Sequence, residues 1–439
     1  EIPLFDVAIS EGADYDQPRR SISEVYTEII RLLEEAIPLL YKNTDAGFQE
    51  GHVAAGTAAG LLAKVYATMG AGAIPAGEEM IVKSGSCYEF NNGEKILTYP
   101  VAMTFHKTQV AGYESFDWKD CYTKAAQYAE RVMNGEYGSY ELLPYNELWN
   151  RNSYNQSEHM FMLQARNGDD EYGNQIHQWF CGTESAEGAI QQGQWIGNRF
   201  HWYCLFDSQD YRITQGVRHR FRYYYQVSTN GGFYYPNTPE YRLMATGYDS
   251  NGNKVADPVS PFNDGISYYY NVTNECLAFT TKYADVTDVT QNRTDAYWPF
   301  LRYADVVLIY AEAQCELGSG VADESIRALN LVRARSNANL AVTTGDGAIT
   351  SKVALRSAIF EERAKELAME GDRRWDLIRW GIYLDVMNSI GGVNDNGVAT
   401  AYDEASINKH REPRHLLFPL PSSEVSTNEA IDSNNPGWS

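Results

Sequence analysis

Two carboxylates one helical turn apart, Glu366 and Glu370, sit in the stretch EERAKELAMEGDRRWDLIRWG (361–381) beside Arg363, Lys365 and Arg373. Carboxylates spaced this way on one face could divide acid and base work across a scissile bond, or supply half a metal site. The run also contains pairs that could neutralise each other. Glu361 and Lys365 are i,i+4, while Arg363 and Glu366, Arg373 and Asp376, and Asp376 and Arg379 are i,i+3. This spacing predicts two helices broken at Gly371, with the charges satisfying one another in a scaffold, because ion-pair networks cluster charge without performing catalysis. No catalytic residue is assigned; a hydrolase built on Glu366 and Glu370 is the alternative.

Other constellations carry less. His201 and Cys204 stand three residues apart among Phe200, Trp202 and Tyr203, which predicts packing rather than a metal site. Asp249, Asn251 and Asn253 begin like a calcium loop, yet Lys254 and Ser260 occupy the positions that need glycine and glutamate, so a hairpin turn is expected. Gly70-Ala71-Gly72 follows a helical pattern and meets Pro75 where a dinucleotide fingerprint needs its third glycine. No Walker A, GxSxG or HExxH sequence occurs, and no metal or cofactor is expected.

Aromatic residues give the clearest ligand signal. From Trp195 to Tyr270 they are about twice as dense as the chain average of 13%, interleaved with Gly, Asn and Pro. In QQGQWIGNRFHWY (191–203), Trp195, Trp202 and Tyr203 offer rigid faces suited to the CH-rich side of a sugar ring or to a peptide side chain. Asn198 and Arg199 add hydrogen bonds beside them, and these five residues form the candidate ligand-binding set. The competing reading of such rings is a core beneath long loops, and it is the stronger one for the triplets Tyr223 to Tyr225 and Tyr268 to Tyr270.

The elements that must position these residues are mostly helical. Ser21 and Glu24 have capping-box spacing ahead of an apolar stripe at Val25, Ile29, Leu32, Leu33 and Ala36. An Ala- and Gly-rich helix follows from Ala54 to Met69, with Gly70 as its stop, and another runs from Trp118 to Met133. LRYADVVLIYAEAQCELGSG and ADESIRALNLVRARSN make a helix, a turn at Gly318 to Gly320, and a second helix N-capped by Asp323. The pattern predicts a mainly α protein: a scaffold of tetratricopeptide-like helical hairpins, without a strict repeat, carrying a large irregular loop and β-hairpin ligand-binding subdomain. The expected organisation is a helical scaffold over 1–135 with a long irregular loop at 71–117, an aromatic-rich ligand-binding region over 136–299, and a helical region over 300–439.

Composition narrows the partners. Lys plus Arg total 36 against 58 Asp plus Glu, a formal charge of -22, which repels nucleic acid and polyanionic sugars and leaves neutral or cationic ligands. The six cysteines form no CxxC pair and read as separate buried thiols. No apolar run reaches the roughly 18 residues of a membrane span, and EIPLFDVAIS lacks the pattern of an export leader.

Several stretches together resemble the SusD/RagB family. They are RYADVVLIYAEAQCELG (302–318), IRALNLVRARS (326–336), EERAKELAMEGDRRWDLIRWG, and LLFPLPSSEVSTNEAIDSNNPGW (416–438), in the family's order and spacing. EIPLFD, PRRSISEVYTEIIRLLEEAIPLL and WKDCYTKAAQYAERVMNGEYGSYELLP add similarity earlier in the chain. The resemblance implies a nutrient-binding lipoprotein on the surface of the outer membrane of a Gram-negative bacterium. It also implies glycan capture for a SusC-like TonB-dependent transporter, and an N-terminal lipid anchor not present in this chain. Family members are expected to carry roughly 100 to 150 further residues before the segment resembling Glu1 to Asp6, about the size of a small domain. The 71–117 segment is longer than its family counterpart. A peptide-binding member of the family is the alternative to a glycan-binding one.

Overall fold

The computed structural model describes residues 1–5, 16–86, 88–91, 94–155, 157–181, 196–221, 231–235, 267–270, 278–390, 392–393, 399–400 and 411–438. Trp195, the turn at Asp249 to Gly252 and the triplet Tyr223 to Tyr225 lie outside these residues.

The long helices are α1 (Ile22–Ala36), α2 (Ala55–Ala73) and α3 (Trp118–Met133). Short helices α4 (Tyr145–Leu148), α5 (Ile176–Phe180), α6 (Phe200–Tyr203) and α7 (Tyr211–Thr214) punctuate the middle of the chain. The C-terminal third supplies α8 (Tyr303–Leu317), α9 (Asp323–Arg335), α10 (Lys352–Glu366), α11 (Asp372–Arg379) and α12 (Tyr383–Ser389). Helix α2 packs on α3, and both pack on α8, whose other neighbours are α9 and α10. One continuous core joins these helices, with Leu62, Tyr122, Val307, Leu329, Leu355 and Trp380 fully enclosed.

Local side-chain caps start several of the helices. Ser21 and Glu24 form the reciprocal cap, with Ser21 Oγ accepting from the Glu24 amide at 3.2 Å and the Glu24 carboxylate accepting from the Ser21 amide at 2.8 Å. Asp117 caps α3 by accepting from the amides of Lys119 and Asp120. Two expectations need correction. Asp323 is the first residue inside α9 rather than its cap, where its charge still favours the positive helix terminus. Helix α2 does not stop at Gly70 but continues to Ala73, because Gly70 and Gly72 serve close packing. A Cβ at Gly70 would lie 2.8 Å from the Tyr122 ring.

The expected loop at 71–117 carries four strands among the described residues. Strand β1 (Ile2–Pro3) pairs with β2 (Arg19–Arg20), and then β3 (Glu79–Ser84), β4 (Tyr88–Asn91), β5 (Glu94–Leu97) and β6 (Val101–His106) build two antiparallel pairs, β3 with β6 and β4 with β5. The alternation in EMIVKS, buried at Met80, Val82 and Ser84, is the period-2 signal of a strand with one covered face. This β-arm leans on α10, where the Ile81 amide donates to Ser357 Oγ at 2.9 Å. In the middle region β7 (His159–Leu163) pairs antiparallel with β11 (Trp298–Arg302). Between them β8 (Arg220–Phe221) pairs antiparallel with β9 (Gly231–Tyr234), which runs parallel to β10 (Ser267–Tyr270).

Candidate ligand-binding site

The carboxylates that invite a catalytic reading are buried inside an ion-pair network. Arg302, at the junction of β11 and α8, donates to Glu158 at 2.7 Å, to Glu366 at 3.0 Å and to Glu370 at 2.7 Å. Arg335 of α9 reaches Glu158 at 3.0 Å and also Glu366. Lys282 from the middle region donates to the Glu366 carbonyl at 2.8 Å and to Glu370. Burial alone would raise the Glu366 carboxyl, but Arg335, Arg302 and Arg212 outweigh it and hold the group well below the usual carboxylate range. Glu362 is brought down to about 2 against the same burial penalty, by Arg212 and Arg333. A carboxylate fixed in this way is a poor proton donor or base near neutral pH.

The expected self-pairing within 361–381 is only partly present. Glu361 meets Lys365 at 2.9 Å and Asp376 meets Arg379 at 2.8 Å. Arg363 does not bond Glu366; it bonds Asp305 at 2.6 Å and Asp376 at 2.9 Å. Arg373 donates to the Phe360 carbonyl instead of pairing tightly with Asp376, and burial lowers its guanidinium to about 10. The break between α10 and α11 is made by Met369 and Gly371, both at positive φ, and Trp380 enters the core while Trp375 is 52% exposed.

The same network fixes the middle region. Asp210 caps α7 through the Arg212 amide at 2.9 Å and holds the Arg212 guanidinium at 2.7 Å, while that guanidinium also reaches Glu362 and Glu366 on α10. Just before this fixed point, the run 196–203 ends in α6. The Ile196 amide donates to the Trp179 carbonyl at 3.0 Å, and Asn198 exchanges backbone hydrogen bonds with Ala278 at 3.0 and 2.8 Å.

Four of the five residues of the proposed ligand set, Asn198, Arg199, Trp202 and Tyr203, fall on this run with unequal exposure, while Trp195 lies outside the described residues. Asn198 and Arg199 are partly buried at its centre. Trp202 is half-buried: its indole N–H donates to the Ala364 carbonyl at 2.8 Å and its ring meets Phe206 edge-on at 4.7 Å. Tyr203 has no accessible surface and packs edge-on to Tyr235 at 5.3 Å, so its ring has no open face for a ligand. His201 Nε2 donates to the Thr98 carbonyl at 3.0 Å, a structural use of the imidazole, and burial lowers its pKa.

Sequence reasoning missed Trp179. It stands on α5, 42% exposed, with its backbone carbonyl accepting from the Ile196 amide. A single Trp in NQIHQWF gives no periodic signal; only the pairing of α5 with residue 196 brings it to the candidate set. A separate cavity of about 1250 Å³ is lined by Tyr26, Lys64, Trp298, Phe300, Asp372 and Trp375, with Glu1 also on its wall.

A scaffold of packed helical hairpins, carrying an aromatic-rich loop and strand region pinned to it by buried ion pairs, defines the class of this protein. The chain belongs to the SusD family, whose model matches residues 102–438. SusD-like protein P25 of Formosa agariphila is 35% identical over 140 residues, covering 31% of this chain and 24% of the relative. The starch-binding protein SusD of Bacteroides thetaiotaomicron is 25% identical over 199 residues, covering 44% of this chain and 30% of that protein. The matches therefore span about a quarter to a third of these relatives' length. Among solved structures, a SusD superfamily protein from Parabacteroides distasonis superposes with a TM-score of 0.62 at 19% identity, covering 100% of this chain and 74% of the other. A laminarin-binding SusD-like protein gives 0.55 at 19% identity, covering 100% and 74%.

Proposed function

We propose that this protein binds an oligosaccharide or polysaccharide nutrient at the cell surface and delivers it to a SusC-like TonB-dependent transporter in the outer membrane, where it is lipid-anchored. Its mechanism is capture by ring stacking and hydrogen bonding, without turnover. The observation that carries the reading is the exposed indole of Trp179 beside the run 196–203, with the Asn198 amide and Arg199 guanidinium following within three residues. Family membership supports it, as do the starch-binding and laminarin-binding descriptions of two similar proteins. Individually weak contacts suffice for such a device, because a tethered lid raises the effective ligand concentration at the transporter. The charge of -22 favours a basic peptide as the competing ligand.

Affinity electrophoresis in gels containing laminarin or starch tests the reading. Wild-type protein should be retarded by at least one polysaccharide, and Trp195→Ala with Trp179→Ala should abolish retardation. Trp202→Ala is a poorer probe, because it also removes the bond to Ala364. Titration with a glycan panel and a pool of basic peptides completes the test: heat only from peptides would move the assignment to the peptide-binding alternative.

A further inference from the structure

We propose that the β-arm built from β3 to β6 forms a wall of the ligand site and determines which glycan is preferred, with Tyr99 as its stacking residue. The inference rests on the glycan-binding reading above and adds to it an element most of which precedes the family match. That match begins at residue 102, inside the arm, so β3, β4, β5 and Tyr99 all precede it.

The geometry ties the arm to the candidate site. The His201 imidazole, buried on α6, donates to the Thr98 carbonyl at 3.0 Å and so plugs the neck of the arm. One residue on, the Tyr99 ring meets Phe200 edge-on at 5.6 Å while remaining 45% exposed. The other side of the arm is braced on the C-terminal helices, by the Ile81 amide on Ser357, by Lys83 on Glu361 at 3.1 Å, and by Ser84 on Ser389 at 2.6 Å. Ile196, which bonds Trp179, and Phe200, which touches Tyr99, are four residues apart, so the two partly exposed rings flank a run no longer than about 14 Å. That length suits a short oligosaccharide lying across Asn198 and Arg199, with a ring at each end. A partly exposed tyrosine whose neighbour Thr98 is pinned by His201 and whose ring rests on Phe200 loses little entropy when it stacks, which is the economy expected of a recognition residue.

Titration with laminarin and with starch, on wild type, Tyr99→Ala, Tyr99→Phe, Trp179→Ala and the remote exposed control Tyr41→Ala, tests this. Tyr99→Ala should weaken the preferred ligand roughly tenfold, the size expected when one of a few aromatic anchors is truncated. It should also alter the ratio of the two affinities, whereas Tyr99→Phe and Tyr41→Ala bind as wild type and all variants melt together. Unchanged affinities in Tyr99→Ala alongside loss in Trp179→Ala would overturn the arm's role and leave glycan binding intact. Loss in Tyr99→Phe equal to that in Tyr99→Ala would refute stacking by the ring. Absence of binding by wild-type protein to either polysaccharide, with heat from basic peptides, would sink the glycan reading and this inference together.

Discussion

Lys107 is the residue whose placement is hardest to reconcile with its chemistry. It follows β6, is 2% exposed, and its ammonium has no hydrogen-bond partner among the described residues. Burial, together with Arg379 and Arg356, lowers it to about 8. The folded state therefore disfavours the charged form. The penalty is present in full below about pH 8 and disappears as pH rises towards the lysine value near 10.5. Lys107→Met should raise the unfolding free energy from urea titration at pH 7 by roughly 1–3 kcal/mol, since each pK unit is worth about 1.4 kcal/mol. It should also flatten the rise in stability between pH 8 and 10.5; a variant less stable than wild type at pH 7 would show that the ammonium has a stabilising role. Glu366 and Glu370 are the reverse case, because every partner they need is present and none of it was legible in their spacing.

At the scale of elements, α2 shows how a helix can use the residue that usually ends one. Gly70 keeps helical geometry, and its missing side chain lets the enclosed Tyr122 ring pass, with the Tyr122 hydroxyl donating to Glu312 at 2.9 Å. Alanine at Gly70 would gain about 1 kcal/mol in helix propensity, but the Tyr122 ring cannot retreat, and overpacking of this kind costs typically 1–3 kcal/mol. Gly70→Ala should therefore lower the melting temperature, whereas a rise would mean that α3 can shift to accommodate the methyl group. The β-arm was missed for a related reason. Its strands are short, and the alternation in EMIVKS covers only one of the two antiparallel pairs.

At the scale of the whole molecule, the buried ion pairs join the middle region to the C-terminal helices, and acid should separate them. Glu362, Glu366 and Asp376 all titrate below their ordinary range in the fold, Glu362 at about 2. A depressed carboxylate contributes stability that is full above its unfolded value of about 4.5 and is lost as pH falls through the folded value. Asp372 works in the opposite direction: burial raises it to about 6 despite Lys64, so its protonation below pH 6 adds a smaller stabilising contribution. The denaturant midpoint should hold down to about pH 5 and then fall steeply towards pH 2. A flat profile across that window would mean that the network adds little to stability, as buried pairs sometimes do.

The sequence by itself determined the long helices, the Ser21 cap, the glycine break at 371 and the family. Those depend on residues a few positions apart, where 3.6-residue periodicity and capping geometry act locally. It also placed Asn198, Arg199 and Trp202 on one short run. Only the tertiary structure decided that Tyr203 is enclosed, that Trp202 is bonded to α10, and that Trp179 and Tyr99 flank that run. The same holds for the charges of 361–381, most of which find partners such as Arg302 and Arg212 far away in sequence. A charge buried in a low-dielectric core must be paired, but its type and spacing do not say with what, and packing alone selects the partner.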